Sequence, residues 1–235
     1  MARRQRAARR GGRAGAARWL REAMIEDTLE RLDFLRWNGH RALVSGAWGG
    51  DLAAKLRPLA SGVIAVDSLA LEAPIAGGPF DLIVSLAELD TVNDLPGALI
   101  HLRHALGPGG LLIAMLVGGG SLPVLRAAML AADGDRPAAR IHPQVDARAA
   151  SGLLQRAGFS RQAVDAHTLT VRYRTLGGLV ADLRDQGLGS ALADRPAPIG
   201  RAALERANIA FIAHRESDGK VSERFEIITL TAWKD

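Results

Sequence analysis

Residues Arg41–Asp51, RALVSGAWGGD, run from a short apolar stretch through Ser45-Gly46 and Gly49-Gly50 into Leu52–Leu56, which reads as a helix. A glycine-rich turn between a strand and a helix lets backbone N–H groups and the helix N-terminus come close to a ligand. Trp48 stands inside that turn, where an indole either fills the space beside the backbone or forces the loop outward. Asp67 and Asp90 each follow an apolar run and offer carboxylates; the ordinary alternatives are a solvated strand-end or capping aspartate for Asp67 and a surface aspartate for Asp90. Asn93-Asp94, with Pro96 close behind, reads first as a helix cap. His101 and His104 have a spacing that can bind metal, but no carboxylate or third histidine accompanies them, so no metal site is expected. His40, His142, His167 and His214 are isolated in sequence, Ser45-Gly46 lacks the context of a nucleophile elbow, and the absence of cysteine excludes thiolate chemistry.

The elements that must position these residues alternate. Arg18–Trp37 carries Trp19, Ile25, Leu29, Leu32 and Leu35 at helical spacing and stops at Asn38-Gly39. Ala42–Ser45 and Val63–Val66 read as strands joined by a helix over Asp51–Leu59, which implies parallel pairing through a right-handed crossover. Phe80–Leu86 is the next strand, Asn93–Leu106 a helix, and Leu111–Leu116 a buried strand after the Pro108-Gly109-Gly110 turn. Ala147–Ala157 reads as a helix, Arg161–Tyr173 as a strand, Thr175–Gln186 and Arg201–His214 as helices, and Arg224–Trp233 as a strand apolar on both faces, hence interior to a sheet. Arg195–Gly200 is the expected exposed connection.

Composition narrows the class. A chain of 235 residues with 48% hydrophobic but only 4% aromatic content suits one α/β domain over residues 18–235. The first eighteen residues hold seven arginines and no acid, which exceeds the whole net charge of +5, so the basicity belongs to the start of the chain. Met1–Ala17 has no hydrophobic periodicity and is expected to stay disordered, touching phosphates at most non-specifically; no dedicated nucleic-acid surface is expected. The longest apolar run, Leu111–Val117, is far short of the roughly 20 residues of a membrane span, and no signal peptide is recognisable. Three lysines against 27 arginines fit a GC-rich bacterial genome and, with these absences, a cytoplasmic location.

Several segments together support a family resemblance: FDLIVS (Phe80–Ser85), VNDLPGAL (Val92–Leu99), LRHALGPGGLLIAML (Leu102–Leu116), LLQRAGF (Leu153–Phe159), DAHTLTVRY (Asp165–Tyr173), LVADLRDQG (Leu179–Gly187) and FEIITLTAW (Phe225–Trp233). They resemble class I S-adenosylmethionine-dependent methyltransferases, closest to the branch of respiratory complex I assembly factor 5 and the malonyl-carrier-protein methyltransferase of biotin synthesis. The resemblance implies a Rossmann-like fold: a doubly wound, mostly parallel sheet with an antiparallel last strand, an N-terminal helix over 18–40 and a helical lid over 175–214.

It also implies S-adenosylmethionine beside Gly46, Gly50, Asp67 and Asp90, with Asn93, Tyr173, Asp182 and Arg184 toward the substrate and lid; catalytic residues stay unassigned. Trp48 takes the place of the middle glycine, Val44 that of an acid which helps position the methionyl amino group, and Asp90-Thr91 that of His-Trp. The twelve residues between Asp67 and Phe80 are too few for a helix and another strand. Asp67 is then either the ribose acid with the next βα unit deleted, the preferred reading, or the adenine-side acid with the preceding unit deleted. Two functions follow: a methyltransferase-like protein, possessing a degenerate cofactor loop and with arginine hydroxylation keeping the reaction type open, or a non-catalytic module holding a protein partner, by resemblance a respiratory-complex subunit.

Overall fold

A computed structural model describes residues 16–46, 48–190, 192, 194 and 196–235. The expected basic tail Met1–Ala17 lies outside the described residues except for Ala16 and Ala17, and Arg195 of the expected exposed connection lies outside them too. In chain order the elements are α1 (Trp19–Phe34), β1 (Arg41–Ser45), α2 (Gly49–Leu56), β2 (Gly62–Val66), β3 (Phe80–Leu86), α3 (Leu95–Ala105), β4 (Leu106–Val117), α4 (Pro123–Asp133), α5 (Ala147–Arg156), β5 (Arg161–Tyr173), α6 (Leu176–Asp185), α7 (Arg201–Ile212) and β6 (Val221–Trp233).

The six strands form one sheet in the order β2-β1-β3-β4-β6-β5. β2, β1, β3 and β4 are parallel, whereas β6 runs antiparallel to both β4 and β5. Side chains alternate between two cores, as the two-residue period of a strand requires. Val44, Val84, Ile113 and Met115 face α1 and α2 with Leu20, Met24 and Leu52. Leu43, Ile83, Leu112 and Leu116 face α3 and α5 with Leu99, Leu102 and Leu154. A sheet buried on both faces needs near-continuous apolar strands, and β3 and β4 supply them. The fold is the doubly wound, mostly parallel α/β architecture that the sequence pattern implies.

Between Val66 and Phe80 the chain crosses from one side of β1 to the other without a helix or strand, and Leu69, Leu71 and Ile75 from this connection pack on the α3/α5 core. β2 is therefore an edge strand, half exposed along its length. Several elements differ from the sequence reading: α1 and α2 each end three residues earlier than expected, at Phe34 and Leu56. β4 and β6 start earlier than expected, at Leu106 and Val221. α4 was not expected at all, although Val124, Leu125, Ala128 and Ala132 are buried at helical spacing and Pro123 occupies its first turn. Together with α6 and α7, α4 encloses a third apolar cluster containing Tyr173, Leu179, Phe211 and Phe225.

Candidate functional site

In an open α/β sheet, ligands bind beyond the carboxyl ends of the strands where the strand order reverses. Here that point lies between β1 and β3, with β2 on one side and β4 on the other. Gly46 ends β1 with φ +120°, and a Cβ there would lie 2.3 Å from the Leu86 carbonyl oxygen. Its glycine requirement thus has a source inside the protein, the close approach of β1 to the end of β3. Gly50 is different: it is exposed within α2, and a Cβ on it would meet nothing within 4 Å. Gly49 is the tighter position, its would-be Cβ 3.3 Å from the Val44 carbonyl oxygen.

Trp48 precedes α2, and its ring is 4% exposed, packed in the α1/α2 core with Leu20, Met24 and Leu52. Val44 is fully buried in the same core. Asp67 follows β2 directly; because Val66 pairs with Ser45, Asp67 stands beside Gly46. It is exposed, as a residue that meets ribose hydroxyls would have to be. β2, which Asp67 follows, lies next to β1 at the end of the sheet.

The residue that sequence reasoning missed is Glu88. Ala87, with left-handed φ of +49°, turns the chain at the end of β3 and directs the next side chain back across the strand ends. The Glu88 carboxylate is 0% exposed. One of its oxygens accepts from the Ser45 hydroxyl at 2.6 Å and the other from the Leu69 N–H at 3.1 Å. A single carboxylate thus ties β3 to the end of β1 and to the connection after β2, across the point where the strand order reverses. Nothing local in the sequence marks it, since its partners lie 43 and 19 residues away.

Asp90 sits in a short 3-10 turn, Leu89–Thr91, and its backbone carbonyl accepts from His142 Nε2 at 2.9 Å. Because a carbonyl oxygen only accepts, Nε2 carries the proton. The histidine that is isolated in sequence is therefore joined in space to the Asp90 turn. Asn93 is exposed, and Asp94 rather than Asn93 caps α3, accepting from the Gly97 N–H at 2.9 Å.

The three lid candidates separate. The Trp19 indole donates to Asp182 at 3.3 Å, and the Tyr173 phenol is pushed well above its ordinary value by burial and by the neighbouring Asp182 carboxylate. The bond from Trp19 to Asp182 attaches α6 to α1. The Leu20 N–H donates to Gln186 Oε1 at 3.0 Å just beyond α6, reinforcing the attachment. Only Arg184 reaches a cavity, one of about 560 Å³ enclosed by α4, α6 and the chain around His142. Its walls include Leu125, Met129, Val180 and Leu204. At its edge, Leu122 adopts left-handed backbone with φ +61° before α4. The free N–H groups of Val124 and Leu125 at the start of α4 are capped by the buried carboxylate of Glu223, at 3.2 and 2.8 Å. Among the described residues no group of three or more His, Asp or Glu could hold a metal ion.

For the cofactor the resemblance implies, these residues fit only in part. Asp67 is exposed where a ribose would need it. Val44 offers no acceptor, Trp48 is built into the core, and Glu88 places a carboxylate and two occupied hydrogen bonds in the crevice itself.

No family model matches the chain. It is 32% identical over 165 residues to the mitochondrial arginine-hydroxylase NDUFAF5 of Mus musculus, a match covering 68% of this chain and 48% of that protein. It is likewise 32% identical over 161 residues to the malonyl-[acyl-carrier protein] O-methyltransferase of Xylella fastidiosa, covering 68% of this chain and 54% of the other. The match thus spans about half the length of these relatives. Among solved structures, the YcgJ protein of Bacillus subtilis aligns with a TM-score of 0.55 at 12% identity, covering 84% of this chain and 92% of that one, which shows a shared fold. Sheet order, sequence identity to these relatives and shared fold agree, and the chain belongs to the class I S-adenosylmethionine-dependent methyltransferase superfamily, related to both NDUFAF5 and the malonyl-[acyl-carrier protein] O-methyltransferases.

Proposed function

We propose that this chain uses the methyltransferase fold as a non-catalytic binding module for a protein partner, its cofactor crevice closed by its own side chains. The observation that carries the reading is the Glu88 bridge from β3 to Ser45 and Leu69. The Glu88 carboxylate is buried with both oxygens engaged within the protein, so it takes up space at the strand ends and is already committed to Ser45 and Leu69. Val44 and Trp48 add to this: Val44 offers no acceptor where the resembled family has an acid, and Trp48 puts a buried indole where it has a glycine. A respiratory-complex subunit is the partner class the resemblance suggests, and the arginine-rich composition favours the bacterial cytoplasm. Among the described residues no helix is long and apolar enough to cross a membrane.

Titration of the purified chain with S-adenosylmethionine or S-adenosylhomocysteine, followed by calorimetry and tryptophan fluorescence, tests this directly. No heat and no spectral shift at millimolar ligand is the expected result. Saturable binding by the wild-type chain would overturn the module reading. Glu88→Ala combined with Trp48→Gly and Val44→Asp should restore binding if the crevice is closed by these substitutions alone.

A second reading, an active methyltransferase, is favoured by Asp67, exposed beside Gly46 at the end of β2. Methyl transfer depends mainly on alignment of donor and nucleophile, so the lack of an evident general base does not oppose it. Wild-type binding that Asp67→Ala abolishes would select this reading, and the hydroxylase relative then keeps the reaction type open.

A further inference from the structure

The cavity between α4 and α6 has a composition of its own. At about 560 Å³ it falls within the range of small-molecule sites, about 300–1,000 Å³. Leu125, Met129, Val180 and Leu204 make its walls apolar, and no acidic side chain lines it among the described residues. Two cations reach it, and they differ in their commitments. Arg140 is held by Asp133 at 2.6 Å and by the carbonyl oxygen of Ala197 at 3.0 Å, so its charge is already matched. The Arg184 guanidinium has no ion-pair or hydrogen-bond partner among the described residues, and it stands exposed on the cavity lining. An apolar chamber with one uncompensated cation favours a ligand of matching form: a hydrocarbon chain long enough to bury, ending in an anion.

We propose that this cavity binds a free aliphatic carboxylic acid, the chain lying along Met129, Val180 and Leu204 and the carboxylate meeting Arg184. Burial of the methylenes supplies affinity, while the guanidinium selects for charge at one end. The site goes beyond the partner-binding reading, and its occupancy needs no S-adenosyl ligand, so either idea can fail without the other.

Calorimetry on the full chain with decanoate, and with decanol as the uncharged counterpart, provides the test. Decanoate should bind saturably with one molecule per chain. Arg184→Gln should weaken decanoate about tenfold while leaving decanol within about twofold. Val180→Trp, which fills the chamber, should remove both. Absence of decanoate binding by the wild-type chain, or equal affinity in Arg184→Gln, would overturn the proposal. Because an indole at position 180 could disturb folding, hydrogen exchange on the wild-type chain gives an independent readout. Decanoate must slow exchange in Leu176–Leu188, and slowing confined to other segments would reject the site.

Discussion

Two glycines of one turn should respond oppositely to the same substitution. At Gly46 the positive φ and the 2.3 Å approach of a would-be Cβ to Leu86 both act against any side chain. Gly46→Ala should cost at least about 2 kcal/mol, measured by urea denaturation. Gly50 lies in the exposed first turn of α2 with open space around it, so Gly50→Ala should be neutral or stabilise by up to about 1 kcal/mol. Glu223 adds a prediction in pH. Burial raises its carboxyl above the ordinary 4.5 despite N–H donors from Leu125, Arg224 and Val124. A raised folded value means that the native state holds the proton more tightly than the unfolded chain. Stability from this group is full below about pH 4.5 and declines as pH rises through the folded value. Thermal melts across that window should show this decline, and Glu223→Gln should flatten it. Asp81 has the opposite sign. The N–H groups of Arg41 and His40 hold its carboxyl below 3.8, so its contribution is present above that value and lost as acid is added.

At the scale of elements, α6 is attached to α1 through Asp182, which the resemblance assigned to a substrate, and Gln186, which sequence reading passed over. Gln186→Ala would leave the Leu20 N–H at the start of α1 unpaired in a buried setting. A loss of about 1–3 kcal/mol is expected, with faster hydrogen exchange in α1 and α6 while β3 and β4 stay protected. If exchange in α6 were unchanged, the attachment would not be what holds it. The alternation of apolar residues made the strands and most helices legible, because burial on both faces of a parallel sheet leaves a local pattern. The crevice was only partly legible. Gly46 and Asp67 could be placed from their position after strands, whereas Glu88 reads as an ordinary surface acid until Ser45 and Leu69 are brought to it. Likewise Asp182, assigned to a substrate by resemblance, accepts from Trp19, which lies 163 residues earlier in the chain. Contacts of that range leave no trace in local periodicity.

For the molecule as a whole, shortening the chain between Val66 and Phe80 leaves β2 as an outer strand with Ile64 44% exposed. An edge strand of five residues without charge is a template for pairing with another chain. Ile64→Lys should leave unfolding free energy within about 0.5 kcal/mol and slow aggregation on heating, followed by light scattering. Aggregation at an unchanged rate would place the association surface elsewhere.

The bonds from Trp19 and Leu20 to Asp182 and Gln186 have a mechanical consequence. Leu183, Arg184 and Leu188, which border the apolar chamber, alternate along the chain with the residues that those bonds grip. A shift of α1 that kept those bonds would have to carry Asp182 and Gln186 with it, so the position of one wall of the chamber is tied to the position of the first helix.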